Sequence, residues 1–174
     1  HTSALTKHYG ATRALDGVSI AFAEGTSTAI MGASGSGKTT LLHLLAGIIA
    51  PDQGAVTYAH SEISRLSDGD RSRLRREQFG FVFQQGLLVP ELTAAENVAL
   101  ALMLNGMSKR EALIPAGQWL AALGLGGMEA RRIGELSGGQ AQRVAIARSQ
   151  VTGARIVFAD EPTGALHSTT SAEV

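Results

Sequence analysis

Residues 32–40 read Gly-Ala-Ser-Gly-Ser-Gly-Lys-Thr-Thr, a run containing Gly32-x4-Gly37-Lys38-Thr39. No other stretch restricts the fold as strongly. The pattern needs a strand that delivers the chain to a tight loop and a helix that starts where the loop ends. Its glycines, with Ser34, Gly35 and Ser36 between them, let the backbone curl until several N–H groups point at one anion. The helix that follows presents its positive end to the same anion. Lys38 supplies a mobile charge, and the hydroxyls of Thr39 and Thr40 open the helix, the first of them suited to Mg²⁺. A glycine-rich turn before a core helix is the plainer alternative. The flanks favour the phosphate loop. Residues 26–31 read as a buried strand, and residues 38–46, with Leu41, Leu42, Leu44 and Leu45, as a helix ended by Gly47 and Pro51.

A second helix start carries the same chemistry. Leu136-Ser137-Gly138-Gly139-Gln140 has the Ser-to-Gln spacing of a capping box. A cap accounts for Ser137 and Gln140 but not for two adjacent glycines, which are poor helix formers. Glycines there leave N–H groups approachable, so one chain carries two anion-binding helix starts about 100 residues apart. Further on, Arg155-Ile-Val-Phe-Ala-Asp160-Glu161 reads as a buried strand ending in acid. Alone, such a pair is more often a solvated strand end. Combined with the glycine loop and followed by Pro162-Thr163-Gly164, Asp160 is placed to orient Mg²⁺ and Glu161 to polarise an attacking water.

The remaining pattern alternates strands and helices. Residues 4–8, 14–22, 55–59 and 79–83 read as short strands. Thr93 with Glu96, and Ser108 with Glu111, have capping-box spacing ahead of apolar stripes through Val98 and Leu102 and through Ala116, Leu120 and Leu123. Pro115 argues for a break or a late start in the second of these helices. Residues 137–151 form a third helix.

Composition excludes several classes. At 174 residues, 44% hydrophobic and 17% charged, the chain is globular and long enough for one domain with a real core. Its formal net charge is zero, so bulk charge gives no support for nucleic-acid binding, and Arg71, Arg73, Arg75 and Arg76 read as a solvated helix face. There is no cysteine, hence no disulfide or thiolate metal site. His1, His8, His43 and His60 show no metal-ligand spacing. No apolar run reaches membrane-spanning length and no secretory signal pattern is present. The chain starts at His1 without Met and stops 13 residues after Glu161, which reads as an incomplete view of a longer protein.

The glycine loop, Leu136–Gln140 and the acid-terminated strand together resemble the ATP-binding-cassette (ABC) ATPases, and the resemblance covers nearly the whole chain. It implies an α/β P-loop NTPase fold with a mainly parallel sheet, an antiparallel β subdomain near the N-terminus and a helical insertion. Residues 1–86 and 136–174 would form the nucleotide-binding core with its β subdomain, and 87–135 the helical part. The cofactors implied are ATP and Mg²⁺. Tyr9 matches the aromatic that stacks on adenine, and Gln84 the glutamine that contacts Mg²⁺ and senses a membrane partner. Lys38, Gln84 and Glu161 would be catalytic, Thr39, Gln84 and Asp160 would hold the metal, and Ser137 to Gln140 would grip an ATP bound mainly by a second cassette. The partners implied are that second cassette, identical or different, and a transmembrane permease at the cytoplasmic face of the membrane, with no nucleic acid.

Gly80-Phe-Val-Phe-Gln-Gln, Leu92-Thr-Ala-Ala-Glu-Asn-Val98 and Phe158-Ala-Asp-Glu-Pro-Thr-Gly-Ala-Leu are similar to the subgroup serving macrolide-type efflux, lipoprotein release and cell division. Two departures stand out. His167 occupies the place of the usual Asp in a loop that couples the two ATP sites, and the family's switch histidine lies beyond Val174. Both leave room for a cassette that holds ATP with little turnover. A DNA-repair ATPase needs a long coiled coil that has no room here, a translation ATPase carries two cassettes, and a small-molecule kinase leaves Leu136–Gln140 unexplained.

Overall fold

The computed structural model describes residues 1–83 and 87–162, so Gln84, Thr163, Gly164 and His167 lie outside the described residues. The chain divides into two compact units, His1–Arg73 and Leu74–Val174.

The first unit is built on an antiparallel sheet of order β2-β1-β3-β4, from β1 (Thr2–Tyr9), β2 (Thr12–Val18), β3 (Gln53–Tyr58) and β4 (Ser61–Glu62). The β1–β2 hairpin closes with Tyr9 opposite Thr12, and Gly10, at φ 59°, supplies the left-handed residue such a short connection requires. Leu5, Leu15 and Val56 are buried. The Thr2 hydroxyl, also buried, donates to the Val18 carbonyl at 3.0 Å and accepts from the Ile20 N–H at 3.0 Å. Asp52 ties the far end of β1 by accepting from Lys7 Nζ at 2.8 Å and from the His8 N–H at 2.6 Å. The Lys7 ammonium, then the His8 N–H, hold its carboxyl below the usual range. Helix α1 (Lys38–Leu45) buries Leu41, Leu42 and Leu44.

One expectation fails here. Residues 26–31 form no strand and are exposed, Ile30 at 38% and Met31 at 90%. A strand is completed by ladder partners distant in sequence, and residues 26–31 have no recorded ladder bond to another strand among the described residues. Three apolar residues in six do not generate that partner.

Helix α2 (Asp68–Gln78) spans the division in sequence and leads into β5 (Phe79–Val82). In the second unit β5 pairs in parallel with β6 (Ile156–Ala159), Phe79 opposite Ile156 and Val82 opposite Ala159. Phe158 packs edge-on to Phe79 with ring centroids 5.3 Å apart. Helices α3 (Ala94–Met103), α4 (Lys109–Ala122) and α5 (Gly138–Gln150) share a core of Val98, Ala112, Ala116, Leu120, Leu125 and Val144. Each of the three starts on the expected capping box, at Thr93, Ser108 and Ser137.

Two further expectations are corrected. Pro115 lies inside α4 without breaking it, although it costs one backbone donor. Ala112, Ala116 and Leu120, all fully buried, hold the helix against its neighbours on either side of the proline. And β6 is not a buried strand: its residues alternate between half-buried and exposed, with Val157 at 38%. It has a ladder partner on one side only among the described residues, so the apolar sequence is not matched by cover on both faces. The architecture is mixed α/β, with an antiparallel N-terminal sheet and a parallel pair.

Candidate functional site

In the first unit the glycine loop runs directly into α1. Gly37 caps the helix at φ 90° with no side-chain cap, and no acidic residue occupies the first turn. An added Cβ at Gly37 would meet the Ala14 carbonyl oxygen of β2 at 2.4 Å, so both the dihedral and the close approach demand glycine. A Cβ at Gly32 would meet Ser36 Oγ at 2.7 Å. The first helical bond runs from Leu41 N–H to the Gly37 carbonyl at 2.8 Å, so the N–H groups of Lys38, Thr39 and Thr40 precede it. Lys38 Nζ crosses the loop and donates to the carbonyls of Gly32 and Ala33, both at 2.9 Å, while Ser36 N–H donates to Ala33 at 3.2 Å. Ser34, Gly35, Ser36 and Thr39 are exposed and Thr40 is half-buried. The result is an exposed glycine loop at a helix start with a lysine held across it, residue types and charge that fit a polyphosphate. Tyr9, at the end of β1, is 53% exposed, with Lys7 Nζ over its ring at 5.9 Å from the centroid.

In the second unit Ser137 Oγ accepts from Gln140 N–H at 3.2 Å, and Gln140 Oε1 accepts from Ser137 N–H at 2.9 Å. The box therefore satisfies the N–H groups at its two ends. Those of Gly138 and Gly139 between them precede the helix's first intrahelical bond, which Ala141 N–H makes to the Ser137 carbonyl at 2.8 Å. Gly138 is exposed, no acid lies in the first turn, and the helix dipole adds positive character. Cap and anion site are thus compatible.

At the end of β6, Asp160 N–H extends the ladder by donating to the Val82 carbonyl at 2.9 Å. Glu161 follows at φ 45°, left-handed for a residue with a Cβ, and is exposed. Backbone strain of this kind gathers at functional positions. Lys38 and Thr39 belong to one unit and Asp160, Glu161 and Ser137 to Gln140 to the other.

Residues 15–164 match the ABC transporter family. The chain belongs to that family. It is an ATP-binding cassette of the ATPase type. It is 44% identical over 174 residues to the lipoprotein-releasing system ATP-binding protein LolD of Geobacter metallireducens, covering 98% of this chain and 77% of that one. It is 42% identical over 176 residues to the macrolide export ATP-binding/permease protein MacB 1 of Aeromonas hydrophila, covering 99% of this chain and 27% of that one. Against the dimeric ATP-binding cassette MJ0796 bound to ADP and Pi, the TM-score is 0.89 at 38% identity, over 99% of this chain and 78% of that one. A second LolD, from Rhodopseudomonas palustris, is 45% identical, and the cassette spans 66% of its length.

Two residues of the cassette that sequence reasoning passed over stand out in the structure. Asn97, on the buried side of α3, is fully buried. Its Oδ1 accepts from Val89 N–H at 2.8 Å and its Nδ2 donates to the carbonyls of Val89 at 3.0 Å, Thr93 at 3.1 Å and Leu92 at 3.3 Å. Arg148, in the last turn of α5, donates to the Leu87 carbonyl at 2.8 Å. A polar residue in the apolar stripe at 94–103 was the available signal for the first, and the second had none.

Proposed function

We propose that this cassette is the ATP-hydrolysing subunit of an export or lipoprotein-release transporter, working at the cytoplasmic face of a membrane through a permease. No helix among the described residues is long and apolar enough to cross a membrane, so in this proposal the permease does the spanning. The observation that carries the proposal is the pair of glycine-bearing helix starts with no acid in the first turn, at Gly37 on α1 and at Gly138 and Gly139 on α5. The first suits the chain's own ATP. The second suits the γ-phosphate of an ATP held by another cassette, which makes a two-fold dimer with two nucleotides between the protomers. The LolD and MacB relatives, and the MJ0796 dimer, support that assignment.

In the reaction, the loop N–H groups and Lys38 bind and orient the phosphates, and Tyr9 stacks on the base. Glu161 accepts a hydrogen bond from the attacking water and polarises it towards the γ-phosphorus. As the bond from the γ-phosphorus to the β–γ bridging oxygen breaks and ADP leaves, Lys38 and the α1 N-terminus stabilise the charge that develops on the phosphates. Thr39 with Asp160 and Gln84 would hold Mg²⁺: oxygen donors fit a hard cation, and among the described residues no group of three or more His, Asp or Glu side chains competes for it. When bound, Mg²⁺ neutralises charge on the β- and γ-phosphates. Closure of the dimer then pushes on the permease through the region around Gln84 and residues 87–135. His167, where the family has Asp, favours a second reading in which the cassette holds ATP with little turnover.

Sedimentation of the full-length cassette with Mg-ATP tests the dimer in a Gly138→Asp variant. Asp suits a helix start, so α5 still forms, but its carboxylate faces the incoming phosphate. The variant is expected to bind ATP and stay monomeric while the parent dimerises. Dimerisation at the parental ATP concentration would remove α5 from the interface.

A further inference from the structure

The last turn of α5 is fixed from two directions within the second unit. A Cβ on Gly80 of β5 would meet the Ser149 carbonyl oxygen at 2.3 Å, so that glycine lets the helix come down onto the strand's backbone. One residue earlier, Arg148 reaches 61 positions back in sequence to the Leu87 carbonyl. Leu87 itself is held at φ 45° with its side chain 60% exposed, a backbone setting that needs an external constraint. Arg148 is half-buried, and that burial pulls its guanidinium below its ordinary value. Six residues on, the same segment is fastened at its other end, where Asn97 bonds Val89, Leu92 and Thr93.

We infer that Arg148 is a positioning residue that ties the segment 87–93 to α5, so that nucleotide gripped at Gly138–Gly139 orders that segment. The inference rests on the proposed role of the α5 N-terminus. From Gly138 to Arg148 the helix is continuous, about 15 Å at 1.5 Å per residue, and a rigid element of that length carries a displacement from one end to the other. At its start it offers donors to phosphate. At its end it holds a carbonyl of a strained connection that begins three residues after Gln84. Asn97 passes the constraint along the connection into α3. A guanidinium does this better than an ammonium, because its planar fork keeps orientation as well as charge.

Hydrogen exchange of the full-length cassette, with and without Mg²⁺ and a non-hydrolysable ATP analogue, separates this claim from the one beneath it. In the parent, nucleotide is expected to slow exchange both at 137–141 and at 87–93. In Arg148→Ala the slowing at 137–141 persists while that at 87–93 falls by about fivefold or more, the low end of ordinary intersite coupling. Arg148→Lys restores part of it, and a thermal melt verifies that both variants fold. Nucleotide-dependent slowing at 87–93 that survives unchanged in folded Arg148→Ala or Arg148→Lys would overturn the inference. Absence of slowing at 137–141 in the parent would instead overturn the proposed role of the α5 start.

Discussion

Asn97 is fully buried, and its one amide serves one N–H and three carbonyls. Removing it in Asn97→Ala strands the buried groups of Val89 and costs about 2–4 kcal/mol, read from denaturant midpoints. Asn97→Asp keeps the acceptor for Val89 N–H but turns the donor into a second acceptor facing three carbonyls. It is expected to be at least as destabilising as alanine, and a milder effect would mean that the amide's donor side is dispensable. None of this was legible in the sequence, where Asn97 is one polar residue in an apolar stripe. Its partners are backbone atoms of a connection whose path is set only by folding. The phosphate loop is the opposite case. Gly32, Gly37, Lys38 and Thr39 were legible because the chemistry is in the residue types and their spacing, and the structure adds why Gly37 tolerates no side chain: the Ala14 carbonyl lies 2.4 Å from where a Cβ would be.

Among the elements, the helix starts were readable because a capping box is local: a hydroxyl and a carboxylate or amide three residues apart decide it. The starts of α3 and α4 are also joined to each other. Lys109 Nζ donates to Glu96 Oε1 at 2.6 Å while Glu96 Oε2 accepts from Thr93 N–H at 2.9 Å. The Lys109 contact, then the Thr93 N–H, lower the Glu96 carboxyl from 4.5 to about 2. A carboxyl depressed in the folded state contributes stability that is fully present above its unfolded pKa and lost as pH falls through the folded one. The contribution of Glu96 is therefore complete above about 4.5 and disappears down to about 2. Glu96→Gln is expected to flatten the stability profile in that window, measured by urea unfolding at stepped pH. An unchanged slope would show that the Lys109 contact is not kept in solution. The elements misread from sequence are the non-local ones. Residues 26–31 and β6 depend on ladder partners and on cover from distant segments, and neither is written in a six-residue window. Pro115 was misread for the same reason, since packing by Ala112, Ala116 and Leu120 outweighs one missing donor.

For the molecule as a whole, the chemistry is distributed between two units, with the phosphate loop in one and the acids and α5 in the other. Each part is an ordinary local solution: a glycine cap, a capping box, an acid after a strand. Their co-occurrence in one chain is what identifies a cassette, and family membership was legible for that reason. Subtype is less so, because LolD and MacB relatives match at 44% and 42% identity. The central claim is that this cassette turns over ATP with Glu161 as the residue that polarises water. The measurement that tests it most directly is Mg-ATP hydrolysis by the full natural chain beside its Glu161→Gln variant, with ATP binding measured on both. The account predicts hydrolysis by the parent and a loss of about 10²–10⁴-fold in the variant, with ATP binding retained. Equal turnover by the two proteins, or ATP binding without turnover by either, would contradict it.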